Sequence, residues 1–200
     1  MEFTKYNHTI QEKKIYDFWE KNDLFKPRKK KSKKTFSIVI PPPNITGRLH
    51  MGHALINSLQ DVLIRYYRMN GFETLWQPGT DHAGIATQAI VEKNLLKVNI
   101  NKNDIGREKF LEKVWEWKSE SGGLILEQLK KLGCSCDWSR SRFTMDDDMS
   151  KAVTKVFVTL FNKKLIYKDK KLVNWDTKLQ TAISDLEVVQ NEVQSQLYYI

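Results

Sequence analysis

Three of the four histidines in this 200-residue chain fall in two short clusters that also contain glycine. The first is Pro41-Pro42-Pro43-Asn44-Ile45-Thr46-Gly47-Arg48-Leu49-His50-Met51-Gly52-His53. Gly47 and Gly52 have the spacing of a phosphate-binding loop, but His53-Ala54 stands where such a loop needs Lys-Ser/Thr. The chain has no G-x-G-x-x-G for a dinucleotide. What remains is a helix N-terminus, an anion site by its nature, offering two imidazoles three residues apart on one side of its first turn. Gly52 between them leaves the backbone open to a flat group. That combination suits a nucleotide triphosphate.

The second cluster is Gly79-Thr80-Asp81-His82-Ala83-Gly84. Asp81 either holds a positive charge, such as a substrate ammonium, or caps the helix that follows; spacing leaves both open. His50, His53, His82 and Asp81 are also zinc-ligand types, but no H-E-x-x-H accompanies them and Cys134-Ser135-Cys136 has no second pair. No zinc or other metal ligand is therefore expected in this segment, and the two cysteines are expected as free, partly buried thiols. Trp115, Trp117, Trp138 and Trp175 are expected in packing rather than in base stacking.

The elements that must position these clusters follow from periodicity. Thr9-Ile10-Gln11-Glu12 fits a capping box opening a helix whose apolar side is Ile15, Phe18 and Trp19. Residues 35–40 read as a buried strand ended by the three prolines. Leu55, Leu59, Val62, Leu63 and Tyr66 recur at helical spacing until Gly71. Residues 72–76 read as a second strand, and residues 83–96 as a helix. A longer helix is capped by Asp104, with a weak point at Gly122-Gly123, and a further helix spans 147–162. Residues 165–175 read as a hairpin turning near Asp169, with strand-like alternation from Glu187. Strands alternating with helices predict an α/β fold with a parallel sheet, whose ligands gather beyond the strand ends. Both histidine clusters follow a strand.

Composition limits the alternatives. Hydrophobic residues at 40% can fill a core, and no apolar run reaches the length of a membrane helix. The N-terminus lacks a secretory pattern, and two cysteines cannot form a disulfide framework, which places the expected location in the cytoplasm. The net charge of +9 suggests nucleic acid, but residues 28–34 hold six of the 33 basic residues, and the other 27 face 24 acidic ones. The run reads as a solvated linker or as an arm touching phosphates.

The first cluster resembles the HIGH motif of class I aminoacyl-tRNA synthetases, and the valine-specific branch in particular. Four further blocks carry that resemblance: 76–88, 137–140, 142–145, and 172–176 with 181–188. Met51 stands for the motif's Ile, Ile45 for a usual Val and Thr177 for a usual Pro. The resemblance implies the first half of a Rossmann-type nucleotide-binding catalytic domain, ending at the start of an inserted editing domain. On that reading residues 1–34 form an N-terminal helix and basic linker, 35–188 the half-domain, and 189–200 the start of the insertion. It implies that His50 and His53 contact the ATP phosphates as the catalytic pair. Gly52 would lie under adenine, with Thr46 and Gly47 completing the ATP site. Pro41, Pro42 and Asn44 would line the amino-acid site, and Asp81 would hold the ammonium of L-valine. ATP with Mg²⁺ and tRNA(Val) are the other implied partners, and the full enzyme is expected as a monomer. No Lys-Met-Ser-Lys-Ser loop is present; Met149-Ser150-Lys151 lacks its first lysine. The chain is expected to be part of a longer protein, since Leu197-Tyr198-Tyr199-Ile200 reads as a strand cut short. A free-standing nucleotidyltransferase of the same fold and a basic RNA-binding module are the alternatives.

Overall fold

Residues 6–28 and 34–199 are described in the structure, a computed structural model. Most of the basic run, residues 29–33, lies outside them. In chain order the elements are α1 (His8–Lys21), β1 (Thr35–Val39), α2 (Met51–Met69), β2 (Glu73–Gln77), β3 (Gly79–Thr80), α3 (Ile85–Lys97), α4 (Lys102–Lys131), β4 (Arg142–Phe143), α5 (Asp147–Asn162), β5 (Asn174–Asp176) and β6 (Thr181–Ile183). The chain divides into two compact units, Met1–Val153 and Thr154–Ile200.

In the first unit, β1 runs parallel to β2, from Thr35 opposite Glu73 to Val39 opposite Gln77. Pro78 has no N–H to donate, which separates β2 from β3. The chain nevertheless keeps its direction, and β3 pairs in parallel with β4 on the side away from β1. Gly79 permits that approach: a Cβ there would sit 2.8 Å from the Arg142 carbonyl oxygen. Three segments thus lie side by side in parallel, as the α/β reading expects. Trp76, Ile40, Ile45, Ile64, Ile125, Leu129, Cys134, Cys136 and Phe143 form the core beneath them. β1 is less buried than expected. Only β2 pairs with it among the described residues, and Val39 is 71% exposed.

Helix α2 turns an unexpected face inward. Asn57 and Ile64 are its buried residues, whereas Leu55, Leu59, Val62, Leu63 and Tyr66 are all exposed. The polar side is anchored instead. Asp61 Oδ1 accepts the Ser135 N–H at 3.0 Å, and Asp61 Oδ2 accepts from Arg65 Nε at 2.7 Å. Arg68 donates to Thr74 Oγ1, Ser135 Oγ and the Ser135 carbonyl. These bonds tie α2 to the segment after α4, and they leave an apolar stripe facing solvent. A stripe of that length on one helix is unusual for a self-contained surface.

Helix α1 begins at His8, with Asn7 as its cap (Oδ1 accepts the Ile10 N–H at 3.4 Å), so the expected box at Thr9–Glu12 does not form. Its buried residue is Tyr16, not Ile15 or Phe18, which are exposed. The Tyr16 hydroxyl donates to the Cys134 carbonyl at 2.6 Å and accepts from Trp138 Nε1 at 2.7 Å. Burial pushes the Tyr16 hydroxyl far above its ordinary pKa. Burial likewise pushes the Cys134 thiol up to about 12 and raises Cys136 as well, so both stay protonated at neutral pH. Both cysteines are free and fully buried rather than partly so.

Helix α4 is capped by Asn101, which accepts the Asn103 N–H at 2.9 Å, and not by Asp104. Its break lies at Gly106, where φ is +75°, while Gly122-Gly123 continues the helix. β4 has no counterpart in the sequence reading, because two residues are too short for a periodic signal. In the second unit the hairpin is β5 with β6, Asn174 opposite Ile183, and it turns at 177–180 rather than near Asp169. Asp176 Oδ1 accepts the N–H groups of Lys178 and Leu179, a turn that the side chain builds locally. No strand forms from Glu187 onward among the described residues.

Candidate active site

The two clusters are joined by backbone pairing. The Asp81 N–H donates to the Pro43 carbonyl and the Ile45 N–H to the Asp81 carbonyl, at 2.9 and 3.0 Å, so Asn44 and Asp81 form a parallel bridge. Both loops therefore leave the same sheet edge, at the carboxyl ends of adjacent strands. Pro41, Pro42 and Asn44 are exposed on that edge, and Thr46 and Gly47 lie half-buried in the turn that follows.

His50 is the N-cap of α2, and His53 lies at its third helical position. Each ring caps the backbone: His50 Nδ1 accepts the Gly52 N–H at 3.1 Å, and His53 Nδ1 accepts the His50 N–H at 3.3 Å. An accepting Nδ1 carries no proton, so each neutral ring holds its proton on Nε2. The caps thereby fix two Nε2–H donors at the positive end of a 19-residue helix, with ring centroids 4.0 Å apart. Partial burial, then the neighbouring His50, lowers the His53 pKa. His53 is therefore neutral in the neutral pH range. The Cβ side of Gly52 lies against the His50 ring: a Cβ at position 52 would meet His50 Cε1 at 2.9 Å.

Asp81 does not cap α3. The N-cap is Gly84, with no side-chain bond. Asp81 Oδ1 instead accepts the Ala83 N–H at 2.9 Å, closing a turn in which Ala83 and Gly84 both have positive φ, near +50°. Thr144, just beyond β4, reaches the same oxygen at 3.3 Å. Oδ2 has no partner among the described residues. His82 lies alongside, with Nδ1 3.4 Å from Asp81 Oδ1. His50, His53 and His82 do not converge on a metal-binding cluster, and no group of three or more His, Cys, Asp or Glu able to hold a metal occurs among the described residues.

Sequence reading missed the support from α4. Trp117 Nε1 donates to the Ile45 carbonyl at 2.7 Å, and Gln128 Oε1 accepts the Leu49 N–H at 3.0 Å. Eleven residues make about three helical turns, so both side chains leave one face of α4 and clamp the loop at two points. Trp117 is expected from sequence only in packing, and no local pattern says that it and Gln128 meet the loop. Trp117→Phe keeps only part of the ring packing and leaves the Ile45 carbonyl without the indole donor, and the unpaired carbonyl alone costs about 1–3 kcal/mol. The expected result is a lower denaturation midpoint with faster amide exchange at 45–49; unchanged exchange there would show that Gln128 and packing suffice.

Comparison with known proteins gives the family. The family model described as tRNA synthetases class I (I, L, M and V) matches residues 14–199. The valine–tRNA ligase of Pelagibacter ubique is 72% identical over 98% of this chain, and that of Mesorhizobium japonicum 59% identical over 97%. The Bdellovibrio bacteriovorus valine–tRNA ligase is 54% identical over 98%. The chain spans only 22, 21 and 22% of these relatives' lengths. Among solved structures, a ternary LeuRS–tRNA–LeuAMS complex of Agrobacterium radiobacter K84 shares the fold. Its TM-score is 0.72 at 22% identity, covering 92% of this chain and 22% of that one. With a match running through nearly its whole length, the chain belongs to the class I tRNA synthetases (I, L, M and V).

Proposed function

We propose that this chain supplies the ATP cradle and the amino-acid ammonium site of a valine–tRNA ligase. The observation that carries this reading is the pair of capped imidazoles. His50 and His53 aim two Nε2–H donors from a helix N-terminus, on the sheet edge that also holds Asp81. In the reaction the valine carboxylate oxygen attacks the α-phosphorus of ATP, pyrophosphate leaves, and valyl-adenylate forms. A terminal tRNA hydroxyl then takes the valyl group and AMP leaves. Negative charge accumulates on the departing phosphates, and donors held in advance stabilise it without reorganising. Asp81 would hold the valine ammonium through its open Oδ2, with Pro41, Pro42 and Asn44 around the amino acid and Thr46, Gly47 and Gly52 along the nucleotide. Mg²⁺ would arrive with ATP as part of the substrate. The reading also puts the enzyme in the cytoplasm as a monomer, with residues 1–34 as N-terminal helix and basic linker, 35–188 as half-domain and 189–200 as start of the insertion.

The exposed apolar stripe of α2, and the side of β1 that has no strand partner among the described residues, support a catalytic domain larger than this chain. ATP–pyrophosphate exchange dependent on valine tests the reading. The complete enzyme is expected to catalyse it and the 200-residue chain alone to do so only marginally, because the chain spans only 22% of its relative's length. Exchange by the isolated chain at full rate would show that this segment suffices. Valine-independent exchange would favour a free-standing nucleotidyltransferase.

The basic run has a separate expected effect. Neutralising Arg28, Lys29, Lys30, Lys31 and Lys33 spares Lys34, whose Nζ lies 5.6 Å from the Phe72 ring centre. If the run meets tRNA phosphates, the log–log salt slope of tRNA binding should become shallower by roughly 0.7–0.9 for each phosphate it no longer neutralises. An unchanged slope would leave the run as a linker.

A further inference from the structure

Thr144 takes no part in the proposed reaction, yet its hydroxyl has three polar neighbours on the second cluster. Thr144 Oγ1 lies 2.9 Å from the His82 backbone nitrogen, 2.6 Å from His82 Nδ1 and 3.3 Å from Asp81 Oδ1. Two of the proton directions follow from what each neighbour can do. A backbone N–H only donates and an ionised carboxylate only accepts, while a hydroxyl has one proton and two lone pairs. Thr144 Oγ1 therefore accepts the His82 N–H and donates to Asp81 Oδ1, and its bond with His82 Nδ1 takes the direction that the imidazole tautomer sets. The three side chains form one hydrogen-bonded cluster centred on the Thr144 hydroxyl.

We propose that Thr144 and His82 are positioning residues for the Asp81 carboxylate, turning it so that Oδ2 meets the ammonium of the amino-acid substrate. This rests on the reading of Asp81 given above. The Ala83 N–H and the Thr144 hydroxyl both bind Oδ1. Two donors on one oxygen fix the carboxylate plane as well as its position, and this leaves the other oxygen for the ligand. Thr144 comes from the strand segment next to β3, since its own N–H donates to the Thr80 carbonyl at 3.1 Å. The carboxylate is thus oriented by the neighbouring strand and not only by its own loop. A freely rotating carboxylate would still attract an ammonium but would lose directional fit, so the cost should fall on amino-acid binding alone.

The test compares Thr144→Val, Thr144→Ser and Asp81→Asn in the complete enzyme, by pyrophosphate exchange with valine and ATP varied separately. Valine matches threonine in shape and lacks only the hydroxyl. Thr144→Val is expected to raise the valine KM about 3- to 10-fold with little change in the ATP KM. Thr144→Ser is expected to restore the valine KM to within about twofold of the parent. A purely structural threonine would shift both KM values together or lower only the melting temperature, and either result overturns the proposal. Equal defects in the Val and Ser variants overturn it too. If Asp81→Asn weakens valine selectively while Thr144→Val does not, the positioning role fails and the Asp81 reading stands. If Asp81→Asn leaves valine binding unchanged, that reading fails first.

Discussion

His53→Ala is expected to lower the rate of valyl-adenylate formation roughly a hundred- to a thousandfold, with little change in ATP affinity. Charge on the phosphates grows as pyrophosphate departs, so a fixed donor counts most in the transition state. One such donor is worth about 2.7–4 kcal/mol. His53 has the required form: its Nδ1 is occupied by the His50 N–H, and its pKa lies below the ordinary imidazole value. The same variant removes a cap bond, so rates must be expressed per folded molecule beside a melting curve. A cap alone is worth about 1 kcal/mol and would appear in stability, not in rate. His50→Ala should show the same pattern. Single-turnover adenylation distinguishes these outcomes, and a near-normal rate per folded His53→Ala molecule would remove the residue from the chemistry. Loss of stoichiometric zinc on the same substitution would make it a metal ligand instead.

The pH dependence has a definite sign. The folded His53 takes up a proton less readily than the unfolded chain does. As pH falls through the ordinary imidazole range the unfolded state therefore gains protons first, and stability declines. Protonation at Nδ1 also breaks the bond from the His50 N–H. The capped form, and with it the orientation of the Nε2 donor, is present above that range and lost below it. In His53→Ala this part of the acid-side slope should disappear.

Asp81→Asn should weaken valine binding roughly 10- to 150-fold while leaving ATP binding nearly intact. That magnitude corresponds to losing a charge-assisted bond to an ammonium, about 1.5–3 kcal/mol. The geometry makes this substitution clean. Asparagine can keep its carbonyl oxygen at the Oδ1 position, where it still accepts from the Ala83 N–H and Thr144, and it changes only the atom at Oδ2. The turn after β3 is thus preserved while the charge is removed. Calorimetric titration of valine and of ATP, separately, measures both effects. Equal loss of the two affinities would mean that Asp81 organises the loop and does not meet the substrate.

Sequence alone determined the parts of this protein that local chemistry specifies. The histidine pair three residues apart beside Gly52, the strand before Pro41 and the helix after His50 all follow from neighbours within one turn of chain. So does the parallel α/β class, because alternating strands and helices admit few arrangements. The two roles open to Asp81 could not be separated that way, because a bond to the Ala83 N–H and a helix cap use the same residue at nearly the same spacing. Only the tertiary structure decided that Gly84 occupies the cap and that Asp81 closes a turn. It alone joined Asn44 to Asp81, brought Thr144 within reach of both Asp81 and His82, and set Trp117 and Gln128 on the loop from residues 72 and 79 positions away. The inward face of α2 shows the limit best. Periodicity marks Leu55, Leu59, Val62, Leu63 and Tyr66 as one face, but burial is not set by hydrophobicity alone. Arg65 and Arg68 are drawn inward by carbonyls and Ser135 that lie 67 or more residues away. No window of local sequence contains those partners, and only the folded chain brings them together.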